Sequence, residues 1–136
     1  MSRLQVDGGC HCGRVRFRAV VDPARVTVCH CTDCQSLTGT AFRATVETAR
    51  DDLEVEGTPA IYTKTAESGR PRHQHFCADC GSPLFTSGEG DAAQVFGVRW
   101  GAISQRSALA PTHEIWRRSA PPWTCAFSGT AVSETE

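Results

Sequence analysis

The sequence has 136 residues, a length that suits one globular domain. Its formal net charge of −1 excludes the excess of basic residues with which proteins bind nucleic-acid phosphates or anionic membranes. Its apolar runs are far shorter than the roughly 20 residues needed to span a bilayer, and its first residues lack the apolar segment of a secretory signal. We therefore expect a cytoplasmic protein, and in that reducing compartment its eight cysteines are expected to serve metal or thiol chemistry rather than form disulfides.

Alternating apolar and polar residues predict a series of short β-strands. The first covers 14–19, where Val15, Phe17 and Ala19 share one face and three arginines face solvent. Further strands are predicted at 41–46, 53–56, 61–65, 72–76, 84–87 and 94–98. Because glycine- and proline-containing turns separate these segments, the sequence predicts an all-β domain of short antiparallel strands, either a sandwich or an open barrel.

Helical patterns are short and weak. Thr32 is the predicted N-cap of a turn that ends at Gly39, and a second turn is expected around 104–109. Neither a repeat nor a linker divides the chain, so we expect a single domain over 1–127. The small, polar and acidic residues 128–136 are predicted to form a disordered tail.

Seven of the eight cysteines fall into three clusters. These are a C-x-C pair, a C-x-C-x-x-C group and a C-x-x-C pair, formed in order by Cys10 and Cys12, by Cys29, Cys31 and Cys34, and by Cys77 and Cys80. Closely spaced cysteines can direct their sulfurs at one ion, and a structural zinc takes four ligands. Seven cysteines therefore divide into a closed site of four and an open site of three.

The spacing alone leaves the pairing of these clusters open. Either the first and last pairs share the closed site, or one of them combines with two cysteines of the central group. The first arrangement is simpler, because the central three cysteines lie within six residues and can surround an ion locally. The histidines compete poorly as ligands: His11 and His30 lie between cysteines, and we expect His113 to be hydrogen-bonded near the surface.

Four segments in the correct order resemble the glutathione-dependent formaldehyde-activating enzyme and centromere protein V family. They are 8–17 and 68–84, which contain the outer cysteine pairs, 29–42, which contains the central group, and 111–123 near the end. The sequence departs from the family pattern at Gln35, where arginine is common, and at Glu114, which interrupts a His-Ile-Trp run. Cys125 has no counterpart in that pattern and is expected to be a free thiol.

The resemblance implies a zinc-binding domain of the β-tent type with two Zn²⁺ per chain. The structural zinc would be held by Cys10, Cys12, Cys77 and Cys80, and the catalytic open site would be formed by Cys29, Cys31 and Cys34. The implied activity is that of a carbon–sulfur lyase, which forms S-hydroxymethylglutathione from glutathione and a small aldehyde, or reverses that step. Zinc would hold the incoming thiol as a thiolate. The alternative is a non-catalytic carrier or interaction module for zinc and a thiol such as glutathione.

Glutathione carries two carboxylates, and arginine is well suited to binding them. Four arginines lie near the motifs, but a solvated surface position is the favoured interpretation for each: Arg43, Arg70, Arg72 and Arg99. The same reasoning assigns core or edge packing to the tryptophans, which are Trp100, Trp116 and Trp123.

Overall fold

The computed structural model describes residues 3–124, 131 and 133–135, and its strands form one eight-stranded sheet. The strands are β1 (Leu4–Gly9), β2 (Arg16–Cys29), β3 (Arg43–Glu56), β4 (Ala60–Thr65), β5 (Pro71–Phe76), β6 (Pro83–Ser87), β7 (Val95–Arg99) and β8 (His113–Ile115). Among the described residues the only α-helix is α1 (Thr32–Thr38), and 3-10 turns cover Gly90–Gln94, Trp100–Ala102, Arg106–Ala108 and Arg117–Ser119. The predicted all-β class with little helix is confirmed.

The strands follow the order β1-β2-β3-β7-β6-β5-β4, and each neighbouring pair is antiparallel. Strand β8 lies outside this path and runs parallel to the end of β2. Because β1 pairs with residues 16–21 of β2 and β8 pairs with residues 27–29, the two short strands share one edge of β2. This topology places residues 113–115 beside the central cysteine group.

The core confirms the alternation in the first predicted strand. Val15, Phe17 and Ala19 are each 3% exposed, whereas the intervening arginines face solvent. The ring of Phe17 packs edge-on against Phe85 with 5.3 Å between centroids. Around this contact lies a set of buried aliphatic side chains, which are Val6, Val21, Val26, Val46, Leu84, Val98, Ile103 and Leu109. The core therefore lies on the same side of the sheet as the predicted apolar face.

Two strands are longer than the short segments predicted from the sequence. The predicted strand 14–19 begins at Arg16 and continues to Cys29, and the segments 41–46 and 53–56 belong to one strand, β3. Pro23 lies within β2 at a shift in the pairing register between Val21 and Val26, which lets the strand continue past a residue that cannot donate a ladder hydrogen bond. Strand β2 therefore passes Pro23 through a shift in register and does not end there.

Strand β1 is absent from the sequence prediction, and Gly8 shows why it fits the sheet. A side chain at this position would place its Cβ 1.9 Å from the carbonyl oxygen of Ala102 and 2.8 Å from the ring of Phe17. Only glycine allows that close approach, in which Gly8 forms a bridge with Ile103. The contact holds the end of β1, and the cysteine pair that follows, against the core.

Cys125 and most of the predicted tail lie outside the described residues, so the limits of the domain, the tail and the state of Cys125 stay predictions. Within the described part of the chain, no helix has the length and apolar character required to cross a membrane.

Candidate metal centres

The outer cysteine pairs meet at one end of the sheet. Cys10 and Cys12 lie in the loop after β1, and Cys77 and Cys80 lie in the turn between β5 and β6; their Sγ atoms all lie within 4.8 Å of one another. Two of these separations are 3.6 Å and 3.7 Å, close to the edge of about 3.8 Å expected for a tetrahedron with Zn–S bonds of about 2.3 Å. The cysteines are free thiols, and their geometry fits a closed tetrahedral site.

The two loops that supply these sulfurs have the same design. The Cys10 amide donates to the carbonyl of Val15 at 3.0 Å, and the Cys77 amide donates to the carbonyl of Ser82 at 3.0 Å. Each loop includes a glycine with positive φ, at Gly13 and Gly81, where other residues are disfavoured. This tight turn folds the chain back so that closely spaced sulfurs face the same point.

Hydrogen bonds also favour the thiolate form of Cys10 and Cys80. The Val15 amide donates to Cys10 Sγ at 3.3 Å. The hydroxyl of Ser82 lies 3.2 Å from Cys80 Sγ and accepts from the His11 amide at 3.0 Å, so it joins the two loops. Hydrogen bonds from the Ser82 side chain and backbone lower the pKa of Cys80 to about 5. A thiolate is the form of cysteine that binds metal.

The central group lies where β2 ends and α1 begins. The Sγ atoms of Cys29, Cys31 and Cys34 lie within 4.8 Å of one another, and all three side chains are partly exposed. The helix prediction is correct in place but wrong in its cap: Cys31, not Thr32, is the N-cap, because its Sγ accepts from the Cys34 amide at 3.2 Å. The predicted end at Gly39 is confirmed by its left-handed conformation. The helix thus closes a three-sulfur cluster locally.

Glu114 and Gln35, the two departures from the family pattern, form hydrogen bonds beside the three-cysteine cluster. The Glu114 carboxylate forms a hydrogen bond of 2.9 Å with Nε2 of the buried His30, and it also lies 3.6 Å from the guanidinium group of Arg117. Gln35 donates to the carbonyls of His30 at 2.9 Å and Ser119 at 3.1 Å, which ties α1 to the segment after β8. Sequence reasoning missed these roles, because each depends on the parallel pairing of β8 with β2.

A cavity of about 560 Å³ opens onto the three-cysteine cluster. Four half-exposed apolar side chains lie on its walls, namely Leu37, Val95, Ile115 and Trp116. Trp116 has a φ of 56°, the only positive value for a non-glycine residue in the described chain, and strained residues of this kind concentrate at functional sites. The expectation of core or edge packing for Trp116 is therefore incomplete, because this side chain lines the cavity.

Arg43, Arg72 and Arg99 also line this cavity, which corrects the expectation of a solvated surface. Arg43 is 6% exposed and Arg99 is 9% exposed, while Arg72 is half-buried. Only Arg70 lies on the surface, as predicted. The sequence pattern was misleading because it assigned a single buried face to this strand. In the structure β3 buries Val46 on one face and Arg43 on the other.

His113, Trp100 and Trp123 do not line the three-cysteine cavity. His113 is exposed, and its Nδ1 lies 2.8 Å from the hydroxyl of Thr112, which agrees with the surface position expected for it. Trp100 donates from its ring to the Leu109 carbonyl at 2.9 Å. Trp123 is 55% exposed.

Comparison with known proteins places these features in a family. A sequence model described as glutathione-dependent formaldehyde-activating enzyme matches residues 5–119, which is most of the chain. A Halomonas elongata protein provisionally named a glutathione-dependent formaldehyde-activating enzyme is 32% identical over 102 residues, 71% of this chain. That match spans only 59% of the Halomonas protein's own length.

A solved structure shares the fold. The crystal structure of a Rhodobacter sphaeroides protein superposes with a TM-score of 0.62 and 19% sequence identity, covering 79% of this chain and 98% of the Rhodobacter chain. The likeness shows that the fold of this chain occurs in an experimentally determined structure.

Proposed function

Because the chain belongs to the glutathione-dependent formaldehyde-activating enzyme family, we propose that it binds two zinc ions and joins the thiol of glutathione to a small aldehyde. The single observation that carries this proposal is the presence of two different cysteine clusters. One has four sulfurs, and the other has three and opens onto a cavity. A cytoplasmic location accords with the need to keep seven thiols reduced.

The four-cysteine cluster is the proposed structural zinc site. Cys10, Cys12, Cys77 and Cys80 supply the complete set of ligands for a tetrahedral ion, and the measured sulfur separations fit that geometry. Such a site leaves no position for a substrate. Its role would be to hold the loop after β1 against the turn between β5 and β6.

The three-cysteine cluster is the proposed reaction site. Cys29, Cys31 and Cys34 would hold the second zinc, and zinc bound there would lower the pKa of a substrate thiol that completes its coordination. The protein's own residues would place this thiol at the mouth of the cavity. Trp116 and Leu37, on the cavity wall, would limit the access of water to the aldehyde.

The reaction balances without an oxidant or reductant. The sulfur of glutathione forms a bond with the carbonyl carbon of formaldehyde, the carbonyl π-bond breaks, and the thiol proton ends on the new hydroxyl oxygen. The product is S-hydroxymethylglutathione, and the reverse step cleaves the carbon–sulfur bond. The larger part of the acceleration would come from holding both reactants in one orientation.

A non-catalytic carrier is the second candidate, and the lining of the cavity favours it. Among the described residues that line the cavity there is no histidine, and its one carboxylate, Glu47, is paired with Arg25 at 3.0 Å. An addition that needs a proton acceptor would find no free one there. A carrier would bind the thiol without changing the rate of its reaction with an aldehyde.

Metal content and rate distinguish these possibilities. We expect two zinc ions per chain by elemental analysis, falling to one in the Cys31→Ser variant, whose hydroxyl can still cap α1. The formation of S-hydroxymethylglutathione is then measured by NMR exchange with and without protein. A rate increase lost in Cys31→Ser supports the enzyme. An unchanged rate with glutathione bound supports the carrier, and a protein without metal contradicts both.

A further inference from the structure

Three arginines line the three-cysteine cavity, and two of them donate to one glutamine. The Oε1 atom of Gln74 accepts from Arg43 at 3.0 Å and from Arg99 at 2.6 Å. Arg99 also donates to the hydroxyl of Thr45 at 2.8 Å. These bonds connect β3, β5 and β7, so the guanidinium groups are held in position before any ligand binds. Arg72 joins the same network through the hydroxyl of Thr86 at 3.3 Å.

Within the described part of the chain, none of these three arginines has a carboxylate partner. The one carboxylate that lines the cavity, Glu47, is already paired with Arg25 at 3.0 Å, and Asp33, next to Cys34 in sequence, is paired with Lys64 at 2.7 Å. Burial of a charge without a counter-charge is costly. Burial lowers the pKa of Arg99, and the neighbouring charge of Arg43 lowers it further.

Arg43 provides the most direct sign of a missing partner. Its side chain is 6% exposed, and its Nε lacks a hydrogen-bond partner among the described residues. A buried donor without an acceptor costs about 1–3 kcal/mol, so native proteins rarely leave one unpaired. Arg43 and Arg99 line the cavity that contains the three cysteines, so a ligand in that cavity would lie against both side chains.

The cysteines themselves do not neutralise this charge. Three thiolates and one Zn²⁺ carry a net charge of −1, and the three guanidinium groups exceed it by two. The cavity is therefore electropositive in the state that the proposed function requires. A cavity of about 560 Å³ also lies in the usual range for ligand sites, about 300–1,000 Å³, and is much larger than formaldehyde needs. The larger reactant, the thiol, would therefore supply the negative charge that the arginines lack.

We propose that Arg43, Arg72 and Arg99 form a carboxylate-binding site that selects thiols bearing a carboxylate over thiols of similar size that lack one. This inference rests on the proposed function, because it assigns the anion to the thiol that meets the three-cysteine cluster. Guanidinium groups bind carboxylates through paired hydrogen bonds, which gives orientation as well as affinity. The network through Gln74 makes these arginines positioning groups for the thiol.

The test compares glutathione with its diethyl ester, which keeps the thiol and loses both carboxylates. Calorimetric titration of the zinc-loaded protein, without aldehyde, is expected to show at least about tenfold weaker binding of the ester. Arg72→Gln, a change at a half-buried position, is expected to weaken glutathione binding about tenfold and to leave ester binding unchanged. Arg70→Gln is the matched control, because Arg70 is exposed on the turn before β5 and does not line the cavity.

A second measurement uses the wild-type protein and therefore does not depend on the folding of a variant. Modification of the arginines by phenylglyoxal is expected to be slowed by glutathione and not by the diethyl ester. Equal binding of glutathione and ester, with equal protection, would overturn the carboxylate site while leaving thiol binding intact. Binding of neither compound by zinc-loaded wild-type protein would instead overturn the proposed function.

Discussion

Loss of the four-cysteine cluster is expected to destabilise the fold far more than loss of the three-cysteine cluster. Cys12 and Cys77 are 65 residues apart in sequence, and their sulfurs are 3.7 Å apart in the structure. The loop-closure relation for a cross-link of this span gives about 4 kcal/mol of stabilisation. Domains of this kind have a total stability of roughly 5–15 kcal/mol, so the zinc clip would be a large part of it.

The matched comparison uses two double variants, Cys10→Ser with Cys12→Ser, and Cys29→Ser with Cys34→Ser. Each removes two sulfur ligands, but the second pair closes a loop only five positions long. Because closure entropy grows with the logarithm of loop length, the first double variant is expected to lose about 2 kcal/mol more than the second. This difference is independent of the constant term in the loop-closure relation.

Urea unfolding in saturating zinc, repeated with a strong chelator, provides the assay. With zinc, the free energy of unfolding is expected to be lower in the outer-pair variant than in the central-pair variant. With chelator, the difference is expected to disappear, because neither cluster then holds an ion. Equal losses in zinc, or a difference that persists in chelator, would refute the loop-closure reasoning and assign the effect to side-chain packing.

Two further substitutions test the supports of the cysteine clusters. Glu114→Ala removes the partner of the buried His30 and is expected to lower the free energy of unfolding by about 1–3 kcal/mol, whereas Glu114→Gln, which keeps a hydrogen-bonding group, is expected to lose much less; equal losses would contradict the pairing. Gly8→Ala places a Cβ against Ala102 and is expected to cost about 1–3 kcal/mol in the same urea assay, whereas the control Gly101→Ala, with nothing within 4 Å, is expected to cost less than half as much.

The fold class could be predicted from the sequence because its strands alternate strictly where they cover the core. Val15, Phe17 and Ala19 are the plainest example, and they are buried as expected. Strand boundaries could not be predicted equally well, because β2 continues past Pro23 through a shift in pairing register, and the local sequence does not reveal this continuation. Strand β1 was missed for a related reason: its Gly8 is tolerated only through a contact with Ala102, which is remote in sequence.

The candidate site, like the fold, could be predicted only in part from the sequence. The grouping of the cysteines could be predicted, because metal ligands of this kind are close in sequence and their spacing is visible. The three arginines could not, because their burial depends on the pairing of β3 with β7 and of β5 with β6. Nothing in the local sequence distinguishes Arg43, which is buried, from Arg18, which is exposed and paired with Glu54 at 2.9 Å. The arginines proposed to recognise a ligand come from strands far apart in sequence.

Helix α1 gives the three-cysteine site a different mechanical character from the four-cysteine site. It has seven residues and none of them is buried, so it lacks the apolar anchoring that holds the strands in place. Its cap is itself a proposed metal ligand, Cys31, and its second ligand, Cys34, lies one turn further on. Unwinding of its first turn would carry two sulfurs away from Cys29 without breaking a strand pair. Exchange of the proposed ion or thiol at this site would then proceed by a local opening that costs a small fraction of global unfolding.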